Sequence, residues 1–130
     1  MTNKAIFKNL KKLISINTYT PFSHFKVAVI IVTDKGNFPG INFESKVVTN
    51  LGTCAERNAV FNGVSYGMKR IHELHLLSTS KKAQTYPCGA CLQVLSEFMK
   101  NNDKIYIYNL SGKIVKTFKL SDLISAAKIN

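Results

Sequence analysis

The run Phe25-Lys26-Val27-Ala28-Val29-Ile30-Ile31-Val32-Thr33-Asp34-Lys35-Gly36-Asn37-Phe38-Pro39-Gly40-Ile41-Asn42-Phe43 decides the fold. Residues 25–33 are β-branched and aromatic, Asp34-Lys35-Gly36 is turn chemistry, and 37–43 can return as a second strand, so a β-hairpin is predicted. Upstream, Ile6, Leu10, Leu13 and Ile14 recur at helical spacing between lysines, which predicts an amphipathic helix over 3–16 with its lysines in water. Downstream, Thr53 offers an oxygen to cap a helix from Cys54 to about Tyr66, ending near Gly67. Leu74 to Ser78 is a short apolar strand. Tyr86-Pro87 opens a helix through Phe98 with proline in its first position, and Lys104 to Tyr108 alternates like a strand. Ile114 to Phe118 then reads as a last strand and Leu120 to Ala127 as a last helix. The order α-β-β-α-β-α-β-β-α predicts an α/β fold: one three-layer α-β-α domain over 1–130, with a mixed sheet of about five strands and helices on both faces.

Composition narrows the function classes. The chain has 130 residues, 45% hydrophobic and 19% charged, with 18 Lys+Arg against 7 Asp+Glu for a formal charge of +11. A chain of this length hides roughly two thirds of its surface on folding, so a core forms without disulfides and intrinsic disorder is excluded. The longest apolar run is Val27 to Val32, far short of the roughly 20 residues a membrane-spanning helix needs. Near the N-terminus Lys4, Lys8, Lys11 and Lys12 interrupt the apolar residues, unlike a secretory signal, and a cytoplasmic protein is expected. The positive charge would suit a nucleic acid, but only Arg57 and Arg70 carry the planar fork that reads phosphate and guanine; the other cations are lysines spread along the chain. A solvated lysine-rich surface accounts for them better.

Cys54, Cys88 and Cys91 are an odd set, and metal binding or catalysis comes before disulfides in a non-secreted chain. Cys88-Gly89-Ala90-Cys91 at a helix start points two sulfurs at one metal, although redox pairs and zinc-ribbon halves share the spacing. A structural zinc needs four protein ligands; three thiolates with an open position suit a catalytic zinc. Glu56, two residues past Cys54, could carry protons there, yet Thr53-x-x-Glu56 is also a capping box in which the glutamate bonds back to the Thr53 amide. Three thiolates leave Zn2+ with a formal charge of −1, so charge must be withdrawn. Both helix starts aim positive dipole ends at the sulfurs, and Arg57 could donate to one or two of them, its ordinary alternative being a surface side chain. His24, His72 and His75 receive no role; His75 reads as a satisfied core or edge histidine.

Together, C-x-E and P-C-x-x-C form the signature of zinc deaminases with cysteine in place of the first histidine. Thr53-Cys54-Ala55-Glu56-Arg57-Asn58-Ala59 and Pro87-Cys88-Gly89-Ala90-Cys91-Leu92-Gln93-Val94 resemble the small homotetrameric cytidine deaminases, and the likeness covers most of the chain. Residues 19–27 look like that family's opening strand motif and 40–44 like its ribose-binding segment. The resemblance implies Zn2+ on Cys54, Cys88 and Cys91, with Glu56 as proton carrier and Arg57 and Gln93 supporting the metal shell. It further implies Phe25 against the pyrimidine, Asn42 and Glu44 on a ribose hydroxyl, and Ala55 in substrate binding. The strand period agrees for Asn42 and Glu44, since residues two apart share a face. Five departures bear on the substrate: Ser45 for the usual Asn, Leu92 for Arg, Ala28 for Gly, one extra residue between Asn42 and Cys54, and Lys128 where an aromatic often reaches a neighbour's pocket.

The implied activity is hydrolytic deamination of free cytidine or deoxycytidine to uridine or deoxyuridine plus ammonia, in pyrimidine salvage. The alternatives are a blasticidin S-type cytosine nucleoside, a nucleic-acid base, which the scarcity of arginine and absence of tryptophan disfavour, and a non-enzymatic zinc-stabilised binding module, against which Glu56 and the missing fourth ligand argue. The resemblance also implies a homotetramer, and it is supported by chain length, since 130 residues leave little chain for a lid and a nucleoside must be shielded from water.

Overall fold

Ile6, Leu10 and Ile14 are buried along one stripe of a helix, α1 (Asn3–Ile16), while Lys4, Lys8, Lys11 and Lys12 are exposed. The bounds are those the periodicity predicts. The computed structural model describes residues 1–16, 18–80 and 86–124. After α1 come β1 (Val27–Thr33), β2 (Gly36–Ile41), a single 3-10 turn at Thr49–Leu51, α2 (Ala55–Ser65), β3 (Ile71–Ser78) and α3 (Gly89–Leu95). The chain continues through β4 (Lys104–Tyr108), β5 (Ile114–Lys119) and α4 (Leu120–Leu123).

The five strands form one sheet in the order β2-β1-β3-β4-β5. It is mixed: β1 is antiparallel to β2 and β3, β3 is parallel to β4, and β4 is antiparallel to β5. Strand alternation splits the core in two. Val27, Val29 and Ile31 of β1 join Leu74 and Leu76 of β3 and Ile105 and Ile107 of β4 under Ala55, Ala59, Val60, Leu92 and Leu95 of α2 and α3. On the opposite face Ala28, Ile30, Leu77 and Tyr108 pack against Ile6, Leu10 and Ile14 of α1. Because β1 is covered on both faces, it reads as a continuous apolar run. The predicted three layers are present. Among the described residues no helix is long and apolar enough to cross a membrane.

Several predicted boundaries move, each for a tertiary reason. β1 starts at Val27, not Phe25, because the Phe25 and Lys26 amides donate to the hydroxyls of Ser23 and Thr79 at 3.0 Å instead of entering a ladder. β2 ends at Ile41, and Phe43 instead forms isolated bridges to Tyr19 and Thr53. β3 begins three residues earlier than predicted, since it pairs with β1 on one side and β4 on the other. Pro87 is not the first residue of α3: the helix starts at Gly89 with Cys88 as N-cap, and it gives way after Leu95 to tighter turns in which the Glu97 amide donates to Val94. The expected last helix is present over Leu120–Leu123; its predicted end at Ala127, and Lys128, lie outside the described residues.

Gly40 sets the distance between β2 and α2. A Cβ there would stand 2.2 Å from the Ala55 carbonyl oxygen and 2.4 Å from the Ala59 amide nitrogen. Only a residue without a side chain lets the strand come this close to the first turn of α2.

Candidate active site

Two helix starts carry the chemistry. Cys54 is the N-cap of α2 and Cys88 the N-cap of α3, both in extended backbone. Backbone groups do the local work: the Asn58 and Leu92 amides donate to the carbonyls of Cys54 and Cys88. That leaves the sulfurs free to face one another, with Cys91 one turn into α3 and buried. The sulfurs of Cys54, Cys88 and Cys91 lie within 4.8 Å of one another, and those of Cys88 and Cys91 are 3.4 Å apart. All three are free thiols.

Burial, reinforced by the nearby Glu56 carboxylate, pushes the Cys91 thiol well above the usual range. At Cys88 burial acts in the same sense, but hydrogen bonds from the backbone amides of Cys91 and Ala90 and from neighbouring thiols outweigh it and bring the thiol below its ordinary value. Three soft donors converging at this separation fit Zn2+, whose bonds to sulfur are about 2.3 Å long and whose binding displaces thiol protons.

Arg57 is turned inward. Its Nη2 stands 3.6 Å from the Cys54 sulfur. Hydrogen bonds to Cys54 first and Cys91 second raise its pKa above the ordinary arginine value, and its buried Nε has no partner among the described residues. The surface alternative is thereby removed. The capping-box alternative for Glu56 fails as well, because the Thr53 amide donates to the Phe43 carbonyl at 3.0 Å and Cys54, not Thr53, is the N-cap. Glu56 is instead only 4% exposed and borders a cavity, and burial lifts its carboxyl pKa against the opposing pull of its own amide and of Arg57.

That cavity, about 370 Å³, brings Cys54, Ala55, Glu56 and Cys88 together with Phe25 and Asn42. Two larger grooves, about 730 and 410 Å³, run beside α1, and neither contains a cysteine, histidine or carboxylate. Val27, Phe43, Gly52, Thr53 and Tyr86 also line the site cavity and were not assigned to the site from the sequence. Alternation hid Phe43 between Asn42 and Glu44. Once β2 has ended at Ile41 that alternation no longer applies, so Glu44 does not line the cavity beside Asn42. Its carboxylate accepts from the amides of Phe22 and Ser23 and from the Ser23 hydroxyl. Asn42 is also engaged: its Oδ1 accepts from the Val27 amide at 2.9 Å and its Nδ2 donates to the Phe25 carbonyl at 2.8 Å. Gln93 is half-buried on α3, outside the cavity lining.

A family model for the cytidine and deoxycytidylate deaminase zinc-binding region matches residues 2–108. The chain belongs to that family. Cytidine deaminase from Mycoplasma genitalium is 32% identical over 119 residues, covering 92% of this chain and 89% of the relative, and the enzyme from Sporosarcina psychrophila is 34% identical over 100 residues, covering 76% and 72%. Among solved structures, cytidine deaminase from Burkholderia pseudomallei superposes with a TM-score of 0.85 at 29% identity, covering 97% of this chain and 98% of that one. The Mycobacterium tuberculosis enzyme gives 0.75 at 28% identity, covering 92% and 90%.

Within this family frame, most of the departures prove structural. Leu92 and Ala28 are buried in the two core clusters, and the Ser45 hydroxyl accepts from the amides of Val47 and Val48 at 3.1 Å, closing a turn. Lys128 lies outside the described residues. His75 is a satisfied core histidine, as read from its strand: it is fully buried, with Nδ1 on the Tyr108 hydroxyl at 2.8 Å and Nε2 on Glu73 at 2.9 Å.

Proposed function

We propose that this chain hydrolytically deaminates free cytidine or deoxycytidine, giving uridine or deoxyuridine and ammonia, with 1–130 acting as one catalytic domain. The observation that carries this reading is a nearly fully buried Glu56 in the wall of a cavity that also contains two of the three clustered cysteines. Zn2+, which Cys54, Cys88 and Cys91 would hold, would supply Lewis-acid activation of water. Glu56 takes a proton from the attacking water and delivers it to the ring nitrogen, then moves the remaining proton of the new hydroxyl to the amine, so that the carbonyl forms as the C–N bond breaks and ammonia leaves. Phe25 forms a wall for the pyrimidine ring, and Ala55 limits the space beside Glu56. Asn42 faces the sugar, its Oδ1 retaining a lone pair besides the one used by Val27. Arg57 steadies two sulfurs and draws off part of their charge, aided by the positive end of α2.

The decisive variant is Glu56→Gln, which keeps size and loses the shuttled proton. Turnover of cytidine should fall on the order of 10²- to 10⁴-fold with zinc content unchanged. Near-wild-type ammonia release from a zinc-loaded Glu56→Gln enzyme would refute the assignment.

The same reading places the enzyme in the cytoplasm, in pyrimidine salvage, as a homotetramer whose neighbours help close the pocket. Free thiols support the compartment. Exposed apolar side chains support the assembly: Phe22, Val47, Leu51 and Phe61 are 61%, 88%, 61% and 52% exposed in the single chain. Light scattering of the active enzyme tests it, and the mass of one chain would sink the tetramer.

A further inference from the structure

We propose that Ser23, which does not line the cavity, is a positioning residue for its wall, fixing Phe25 through a hydroxyl shared with Glu44; this rests on the cytidine reading above. The Ser23 hydroxyl has one proton, and it goes to Glu44 Oε2 at 2.6 Å. A lone pair of the same oxygen accepts the Phe25 amide at 3.0 Å. The other Glu44 oxygen accepts the amides of Phe22 and Ser23 at 3.1 and 3.2 Å. Three donors from two adjacent residues thus close on one carboxylate, and the orientation they impose on Ser23 is what presents its lone pair to Phe25.

Phe25 needs this support. It is 38% exposed, so packing alone does not hold it in the cavity wall. Its amide is taken by Ser23 and its carbonyl by Asn42 Nδ2, so side chains bracket the residue on both sides. Between Ser23 and Phe25 the backbone of His24 is left-handed, with φ of 55°, a conformation that non-glycine residues adopt at a cost. The His24 amide closes this turn by donating to the Thr20 carbonyl. Release of the Ser23 bridge lets the turn relax and the Phe25 ring leave its place.

Glu44 therefore also supports the cavity wall through Ser23 and Phe25, beside any contact of its own with the sugar. A Glu44→Gln change puts a donor where Oε2 accepts the Ser23 proton, so that proton must turn elsewhere and the hydroxyl loses the orientation that presents a lone pair to Phe25. The two residues act as one unit, so their kinetic effects must not add.

The experiment compares Ser23→Ala, Ser23→Thr, Glu44→Gln and the double variant Ser23→Ala/Glu44→Gln in the zinc-loaded full chain. In Ser23→Ala the KM for cytidine should rise about 3- to 10-fold, the equivalent of one net hydrogen bond, with kcat within about twofold. Ser23→Thr, which keeps the hydroxyl, should restore KM, and the double variant should resemble the worse single one. Amide hydrogen exchange, read by NMR without substrate, should quicken at Phe25 in Ser23→Ala and stay unchanged along α2. The inference is overturned if KM or the Phe25 exchange rate does not move, if Ser23→Thr behaves like Ser23→Ala, or if the single effects multiply in the double variant. A wild-type enzyme inert toward cytidine would overturn the proposed function and this inference with it, whereas an active wild type with an unaltered Ser23→Ala variant would overturn the inference alone.

Discussion

Gly40→Ala puts one methyl group at the closest approach of β2 to α2. The new Cβ would lie 2.2 Å from the Ala55 carbonyl oxygen, 2.4 Å from the Ala59 amide nitrogen and 2.7 Å from the Ala59 Cβ. The first contact is about 1.2 Å short of the 3.4 Å at which ordinary van der Waals contact begins. Two of the three atoms are backbone, so no rotamer change relieves the clash and the strand and helix must separate. Overpacking a close contact costs about 1–3 kcal/mol, and a backbone clash belongs at about 3 kcal/mol. For a chain of this size that lowers Tm by roughly 10 °C. The displaced turn of α2 carries Glu56, and a misplacement of about 1 Å at a reacting group costs on the order of 100-fold in rate. Thermal melts at fixed protein and zinc concentration, with cytidine turnover on the same samples, measure both effects. Gly89→Ala is the control for the melts, because nothing lies within 4 Å of its added Cβ. A Gly40→Ala protein melting within about 2 °C of wild type with normal turnover would refute the close-approach reasoning.

Two further outcomes follow from the geometry. Cys88→Ala should lose zinc and, since metal-binding free energy is part of folding free energy, should melt earlier than wild type; full metal occupancy by elemental analysis would contradict the three-sulfur site. Burial depresses the pKa of His75 below 6.5, against the opposing influence of Glu73. A group whose folded pKa is lowered binds protons more readily in the unfolded chain, so its stabilisation is complete above pH 6.5 and is lost as pH falls below it. His75→Phe should be less stable at pH 7.5 by about 1–3 kcal/mol, because the buried Tyr108 hydroxyl loses its partner. Its deficit relative to wild type should narrow between pH 6.5 and 5, and melts showing a constant gap would disprove the buried neutral imidazole.

The sequence determined whatever depends on neighbours along the chain. The stripe of Ile6, Leu10 and Ile14 fixed α1 at both ends, and the alternation of Lys104 to Tyr108 fixed β4, because apolar periodicity reports which side of an element meets the core. Cysteine arithmetic with C-x-E and P-C-x-x-C spacing likewise identified the sulfurs and the carboxylate that converge. Tertiary structure decided the points at which a backbone donor chose between local and distant partners. Thr53 has a capping oxygen, but its amide is committed to Phe43, so the cap moved to Cys54 and Glu56 turned into the cavity. Asn42 and Glu44 share a face only on a continuing strand; once β2 ended at Ile41, Asn42 bracketed Phe25 while Glu44 closed on Ser23. Local periodicity carries no record of those partners, which lie between 10 and 22 residues away in sequence and meet only when the sheet and helices have packed.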